Sequence, residues 1–144
     1  MKDTLQPARI VVIDDSPTDV LLLRHALDLH HEPYELTVLN DGEEALQFVG
    51  LHRKPSHEPE PCVIVLDLHL PRYDGMAVLR AIKREPMLAN ISVIILTTLA
   101  TPEEEVEMVR MGVRLYQAKP MNLDELSAVA GRILEICKEP VPVA

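Results

Sequence analysis

The chain has 144 residues, 47% of them hydrophobic, with three Tyr, one Phe and no Trp, so we expect one domain with an aliphatic core. Its formal net charge of −9 argues against nucleic-acid binding by the chain itself, because phosphate contacts need clustered Lys and Arg. The sequence has neither an apolar run long enough to cross a membrane nor a signal peptide, which favours the cytoplasm.

Cysteines and histidines do not predict a metal or disulfide site. Cys62 and Cys137 are too few for a disulfide framework, and we expect two small buried thiols, as suits a reducing compartment. The histidines lack the spacing of metal ligands and are expected on the solvated surface: His25, His30, His31, His52 and His57.

The residue pattern predicts five strands that alternate with five helices. Short apolar runs predict strands at 9–13, 34–39, 62–66, 92–96 and 113–118. Capping residues predict that the helices begin near Ser16, Asp41, Asp74, Thr101 and Asn122. Right-handed connections between such units give a parallel sheet with helices on both faces. The polar, Pro-rich segment 52–61 is expected to be a loop and not a domain boundary.

The run 62–66 (CVIVL) suits a strand that is buried on both faces of a parallel sheet. Asp67 follows it and is therefore expected at the carboxyl edge of the sheet, where open α/β folds bind ligands. Polar residues also follow the other strands. If these strands are neighbours, three acids, a hydroxyl and an amine converge at this edge: Asp14, Asp15, Asp67, Thr97 (with Thr98 after it) and Lys119.

Three carboxylates form a hard-oxygen site that suits Mg²⁺ or Mn²⁺. With a metal bound, one carboxylate can attack the phosphorus of a phosphoryl donor and form an acyl phosphate. Lysine and hydroxyl groups can bind the oxygens of the product. The constellation therefore predicts a phosphoryl-accepting site.

Four motifs in this order resemble the response-regulator receiver domain of two-component signalling: VIDD at 12–15, LDLHLP at 66–71 with DG at 74–75, ILTT at 95–98 and YQAKP at 116–120. The intervals resemble that family too, with 30 residues from Asp67 to Thr97 and 22 from Thr97 to Lys119. The resemblance implies a single domain over 1–144, with a core at about 9–138 and short tails. It also implies a flavodoxin-like, doubly wound sheet of five parallel strands in the order 2-1-3-4-5, with five helices on two faces.

The resemblance implies that Asp67 is the phosphoacceptor. Asp14 and Asp15 would form the acidic pocket for Mg²⁺ (or Mn²⁺), and the backbone carbonyl of His69 would be a further ligand. The phosphoryl donor would be a sensor histidine kinase. The protein would be a phosphoacceptor with at most slow self-dephosphorylation, and not a turnover enzyme.

The resemblance also assigns the residues that respond to phosphorylation. Thr97 would bind the phosphoryl group, Lys119 would pair with it, and Tyr116 would be the aromatic switch. The Lys119–Pro120 bond corresponds to one that is cis in the family. A new charge would draw Thr97 inward and vacate space for Tyr116, which changes the surface of the fourth helix, fifth strand and fifth helix.

Two positions depart from the commoner family pattern. His69 stands two residues after Asp67, where smaller amide or apolar residues are usual, and Leu99 is apolar where a polar residue would help to place water. We therefore expect slow loss of the phosphoryl group. An alternative role for the His69 ring is to assist water or bind a metal.

A narrower resemblance points to the stand-alone regulators that pair with bacterial phytochrome kinases. The Pro-rich insert, the segment 84–98 and the short tail after the last helix carry it. Output is then expected through a second copy or a separate protein. The fourth helix has two apolar stripes, one of which must face the sheet: Val106 with Val109, and Met108 with Met111.

Three other functions fit this sequence less well than the receiver does. A phosphohydrolase of the haloacid dehalogenase type needs a second acid where this chain has His69. A flavodoxin-like FMN carrier needs a phosphate loop where this chain has Asp14 and Asp15, which would repel phosphate. A receiver that only docks, without phosphorylation, is disfavoured by the complete acidic set.

Overall fold

The computed structural model describes residues 6–52, 60–70 and 72–140, and these form alternating strands and helices. The strands are β1 (Ala8–Ile13), β2 (Tyr34–Leu39), β3 (Val63–Leu66), β4 (Ser92–Thr97) and β5 (Leu115–Ala118). The helices are α1 (Pro17–Asp28), α2 (Gly42–Leu51), α3 (Gly75–Arg84), α4 (Pro102–Arg110) and α5 (Leu123–Cys137). None of the helices in these ranges is long and apolar enough to span a bilayer. Most of the predicted loop 52–61, and the end of the chain from 141, lie outside the described residues.

All five strands are parallel, in the order β2-β1-β3-β4-β5, which confirms the predicted topology. Strand β3 lies at the centre, and its four residues are buried, as the unbroken apolar run predicted. In the register of the sheet, Ile13 of β1 lies beside Leu66 of β3, and Leu66 lies beside Ile95 of β4. The residues that follow these strands therefore emerge side by side.

The core has two layers, one on each face of the sheet. Helices α1 and α5 cover one face, where they pack on Val63 and Val65 of β3. Helices α2, α3 and α4 cover the other face, where they pack on Ile64 and Leu66. Alternate residues of one strand thus serve opposite layers, as the two-residue period of a strand requires.

Each helix begins at the capping side chain that the sequence predicted. Ser16, Asp41, Thr101 and Asn122 each accept a hydrogen bond from the backbone N–H three residues later, and Asp74 accepts one from Met76. These caps set where each helix leaves the carboxyl edge of the sheet. A side chain at Gly75 would collide with the backbone of Leu68, so glycine allows α3 to start close against the segment after β3.

The structure shows which of the two apolar stripes of α4 faces the sheet. Met108 is fully buried against the core, and Met111 packs beside it. Val106 and Val109 are 54% and 69% exposed. The valine stripe therefore faces outward, because the flexible methionines fill the space between α4 and the sheet.

The prediction of two separate thiols is wrong. Cys62 and Cys137 form a disulfide, with Cα atoms 5.1 Å apart. Cys62 precedes β3, and Cys137 ends α5, which runs antiparallel to the strands, so both lie at the amino edge of the sheet. The cysteines therefore give no support for a reducing compartment.

The expectation of a solvated surface position is wrong for His30. Its Nε2 donates a hydrogen bond to the Ser127 carbonyl at 2.8 Å, across the contact between α1 and α5. A side chain at Gly131 would meet the His30 ring at 2.9 Å, so the ring lies directly on the backbone of α5. The imidazole is a packing element of this layer.

Reducing the disulfide is expected to lower the melting temperature. The bond joins residues 75 apart in sequence, and loop-closure entropy for such a separation corresponds to about 4 kcal/mol. For a domain of this size, that is a decrease of roughly 10 °C. Calorimetry with and without dithiothreitol tests it, with the Cys62→Ser/Cys137→Ser double variant as a control that should not respond. Equal melting temperatures for oxidised and reduced wild-type protein would contradict the expectation.

Candidate functional site

Three acids meet at the carboxyl edge of the sheet, as the sequence predicted. Asp14 and Asp15 follow β1, and Asp67 follows the neighbouring strand β3. One carboxylate oxygen from each lies within 4.8 Å of the others. Asp67 is only 4% exposed and Asp14 is also buried, whereas Asp15 faces solvent. The group is thus open on one side.

Local backbone contacts orient the two buried carboxylates. The Ser16 N–H donates to Asp14 Oδ1 at 2.9 Å, and the His69 N–H donates to Asp67 Oδ1 at 3.0 Å. Each is an Asx turn, in which the acid accepts from the backbone two residues later. The Asp67 N–H also donates to the Ile13 carbonyl at 3.0 Å, which ties the two strand ends together.

Lys119 supplies the positive charge at this edge. Its Nζ lies 3.0 Å from Asp14 Oδ2, 3.0 Å from Asp67 Oδ2 and 2.7 Å from Asp19 Oδ2. Burial alone would lower the pKa of the Lys119 ammonium, but its hydrogen bonds to Asp19, Asp67 and Asp14 together raise that pKa above its usual value. The lysine is therefore held charged.

Burial raises the pKa of Asp14, whereas it acts to lower that of Lys119. Removal from water raises the pKa of this carboxyl, and the charge of Asp67 adds to the rise. The hydrogen bonds from Ser16 and Lys119 oppose the rise without cancelling it. The ionised form of Asp14 is thus disfavoured by its surroundings, and a cation placed among the acids would stabilise it.

The donor set fits a hard divalent cation. It consists of carboxylate oxygens, which Mg²⁺ and Mn²⁺ prefer, and its exposed side leaves room for water or a phosphoryl oxygen as further ligands. Within the described ranges, this is the one cluster of three or more acidic, His or Cys side chains with such spacing. The acidic cluster is consistent with binding of a divalent metal.

Thr97 ends β4, the strand next to β3, and is fully buried. Its Oγ1 is the one buried side-chain polar atom in the described part of the chain that has no hydrogen-bond partner. Buried hydroxyls are nearly always paired, because an unpaired one costs about 1–3 kcal/mol. Thr98, the next residue, is exposed. Thr97 therefore has a free hydroxyl at the carboxyl edge of the sheet.

Tyr116 links β5 to the start of α4. Its hydroxyl donates to Glu104 Oε1 at 2.6 Å and accepts from the Thr101 N–H at 2.9 Å. Burial and the Glu104 carboxylate both raise the pKa of the phenol. The ring packs on the core layer under α2, α3 and α4. Tyr116 is therefore hydrogen-bonded to the N-cap and the first turn of α4.

Sequence reasoning missed two of these contacts. Asp19 and Glu104 each stand in the first turn of a helix, where acids are common, yet Asp19 binds Lys119 and Glu104 binds Tyr116. The sequence does contain a signal that Asp19 lies near the site, because α1 begins directly after the acidic pair and its first turn must lie at the carboxyl edge of the sheet. No sequence signal joins Glu104 to a tyrosine twelve residues later.

Two further expectations concern residues beside the site. The Lys119–Pro120 bond is trans, so the expectation of a cis bond is wrong, and the chain keeps the isomer that X–Pro bonds generally favour. The side chains of His69 and Leu99 are exposed, Leu99 to 68%. The His69 ring is not part of the three-acid group.

Comparison with known proteins agrees with this geometry. Residues 10–130 match the family model of the response regulator receiver domain. The response regulator Rcp1 of Synechocystis sp. is 33% identical over 127 residues, which cover 88% of this chain and 86% of Rcp1.

Two solved structures share the fold. One is the phosphorylated cyanobacterial phytochrome response regulator RcpA, with a TM-score of 0.81, 28% identity, and coverage of 96% of this chain and 100% of that one. The other is the Mn²⁺-bound form of Rcp1, with a TM-score of 0.78, 31% identity, and coverage of 95% and 100%. Both are similar to this chain over almost its whole length.

Replacing Lys119 with methionine is expected to destabilise the protein most strongly in the absence of metal. The substitution leaves the buried carboxylates of Asp14 and Asp67 without their cation, at a cost of about 1–3 kcal/mol. Urea unfolding in EDTA measures the loss, which should shrink when Mg²⁺ is added. Arg132→Met, which removes an exposed pair with Glu135, is the control and should change little. Equal stability of Lys119→Met and wild type in EDTA would refute the account.

Proposed function

We propose that this chain, which belongs to the response regulator receiver domain family, takes a phosphoryl group from a sensor histidine kinase onto Asp67 and signals by a change in its surface. One observation carries the proposal: the buried Asp67 carboxylate lies among two further acids and 3.0 Å from the Lys119 ammonium. An acid so placed can accept a phosphoryl group because the Lys119 ammonium, and a cation held by the acids, would stabilise the negative charge of the product.

A divalent cation, Mg²⁺ or Mn²⁺, is the proposed cofactor. Asp14, Asp15 and Asp67 would hold it, with the backbone carbonyl of His69 as a further ligand. When bound, the ion would neutralise charge on the incoming phosphoryl oxygens. The Mn²⁺-bound structure of the relative Rcp1 supports a cation of this class.

In the proposed reaction, an oxygen of Asp67 attacks the phosphorus of a phosphohistidine. A new P–O bond forms, the P–N bond breaks, and the imidazole leaves with its electron pair and takes up a proton. Lys119 and the unpaired hydroxyl of Thr97 would each donate a hydrogen bond to the transferred group. The chain is thus proposed to be a phosphoacceptor and not a turnover enzyme.

The proposed signal passes through Thr97 and Tyr116. A phosphoryl group on Asp67 would draw the Thr97 hydroxyl towards it, and Tyr116 would move into the space released. Since Tyr116 is bonded to Glu104 and Thr101, its movement would change the first turn of α4. The surface of α4, β5 and α5 would then differ between the two states.

The proposed partners follow from this surface and from the relatives. The exposed stripe of Val106 and Val109 on α4 suits a second copy of the chain or a separate downstream protein. RcpA is a phytochrome response regulator, and two further solved structures that are similar to this chain are bacteriophytochrome response regulators, which favours a bacteriophytochrome as the kinase. We propose a cytoplasmic setting, the usual one for such a kinase partner, and no contact with nucleic acid or membrane.

The alternatives are less well supported. This chain lacks the second acid of a dehalogenase-type phosphohydrolase, since His69 stands at that position, and the family model that it matches is the receiver domain. An FMN carrier would place its phosphate beside Asp14 and Asp15, and these carboxylates would repel it. A docking module that is never phosphorylated makes a different prediction in the experiment below.

Incubation with Mg²⁺ and acetyl phosphate should add one phosphoryl mass to the wild-type chain and none to Asp67→Asn. Asp74→Asn is the matched control, because it removes an acid at the same edge and an asparagine can still cap α3. Mass spectrometry measures the label, and size-exclusion chromatography reports whether it changes association. Label on Asp67→Asn would refute the site, and an unlabelled wild type would favour the docking module.

The phosphoryl group is expected to be lost slowly, over minutes or longer. Exposed Leu99 cannot hydrogen-bond an attacking water, so Leu99→Asn should accelerate the loss. Val109→Asn is the control, since Val109 has nearly the same exposure but lies on α4, away from the pocket. Decay of the label in the presence of Mg²⁺ gives the rates. A wild-type half-life of seconds would contradict the expectation.

A further inference from the structure

Asp19 is a third partner of Lys119 that the phosphoacceptor chemistry does not require. It lies in the first turn of α1, where its backbone N–H donates to Ser16 Oγ. Its carboxylate is 2.7 Å from Lys119 Nζ, closer than either Asp14 or Asp67. The positive end of the α1 dipole also favours a carboxylate in this first turn.

Asp19 differs from the other two acids in what else it can bind. Asp14 and Asp67 belong to the three-acid group, and oxygens engaged by a cation are less available to an ammonium. Asp19 is not a member of that group, although it lines the same cavity of about 50 Å³ as Lys119. Its side chain, 39% exposed, stands on the α1 side of the lysine.

We propose that Asp19 is a positioning residue that holds the Lys119 ammonium on the α1 side of the pocket until a phosphoryl group competes for it. This inference rests on the proposed function of Asp67. A phosphoryl oxygen competes with Asp19 for the positive charge of this ammonium, so the ion pair opposes phosphorylation and weakens the hold on the product. Asp19 thus sets how readily the site accepts a phosphoryl group, without touching that group.

Removing the charge of Asp19 should release the lysine. In saturating Mg²⁺, Asp19→Asn should bind beryllofluoride, a mimic of the phosphoryl group, roughly 2- to 5-fold more tightly than wild type, as expected for a half-exposed ion pair. Asp19→Glu keeps the charge within reach of Lys119 and should stay near the wild-type affinity. Asp19→Ser should behave like Asp19→Asn, which protects the test from a folding defect in one variant.

The matched control is Asp41→Asn, which removes one negative charge at the same edge of the sheet. Asp41 caps α2, a role that asparagine preserves. Titration of beryllofluoride, followed by near-ultraviolet circular dichroism or NMR, gives the dissociation constants. The ¹⁵N shift of the Lys119 ammonium, compared between wild type and Asp19→Asn, shows whether the lysine itself has changed partners.

Tighter binding by Asp19→Asn and Asp19→Ser, with Asp19→Glu and Asp41→Asn near wild type, is the expected result. Unchanged or weaker binding by Asp19→Asn overturns the inference, and so does an equal gain for Asp41→Asn, which would reveal only an effect of net charge. A wild-type chain that does not bind beryllofluoride at all would instead overturn the proposed function, and the inference with it.

Discussion

The ammonium of Lys119 links the carboxylates at the carboxyl edge of the sheet. It arrives after β5 and contacts carboxylates that come from three other elements, Asp14 after β1, Asp19 on α1 and Asp67 after β3. Without it, the two buried acids Asp14 and Asp67 would lie close together with no positive partner, and buried charges are costly unless they are paired. The lysine makes the cluster tolerable, and the cluster in turn keeps the lysine charged.

The parallel sheet is what allows one side chain to serve so many acids. Strands that point the same way end at one edge, and the order β2-β1-β3-β4-β5 places the acidic ends of β1 and β3 next to each other. The end of β5 is further away, and the long lysine side chain spans the difference. The Lys119 N–H donates to the Thr97 carbonyl at 2.8 Å, so the backbone that carries the lysine is tied to the end of β4.

This tie connects the acidic pocket to the opposite side of the site. Thr97 is bonded through its backbone to Lys119 and has a buried hydroxyl that lacks a partner. Tyr116, three residues before Lys119, reaches Glu104 and Thr101 at the start of α4. The pocket and the exposed face of α4 are thus linked by a short series of direct contacts. These contacts are the route by which the proposed phosphorylation of Asp67 would change that face.

The sequence by itself determined the elements and their caps, because these follow from local periodicity and from capping chemistry. The sheet order is implied only by the resemblance to receiver domains, and with that order the strand ends bring Asp14, Asp15, Asp67 and Lys119 together. Tertiary structure alone decided the Cys62–Cys137 bond, the place of His30 between helices, and which stripe of α4 is buried. It also revealed that Asp19 and Glu104, which look like ordinary helix-start acids, are partners of functional side chains. Such pairings depend on how helices pack on the sheet, and no spacing along the chain encodes them.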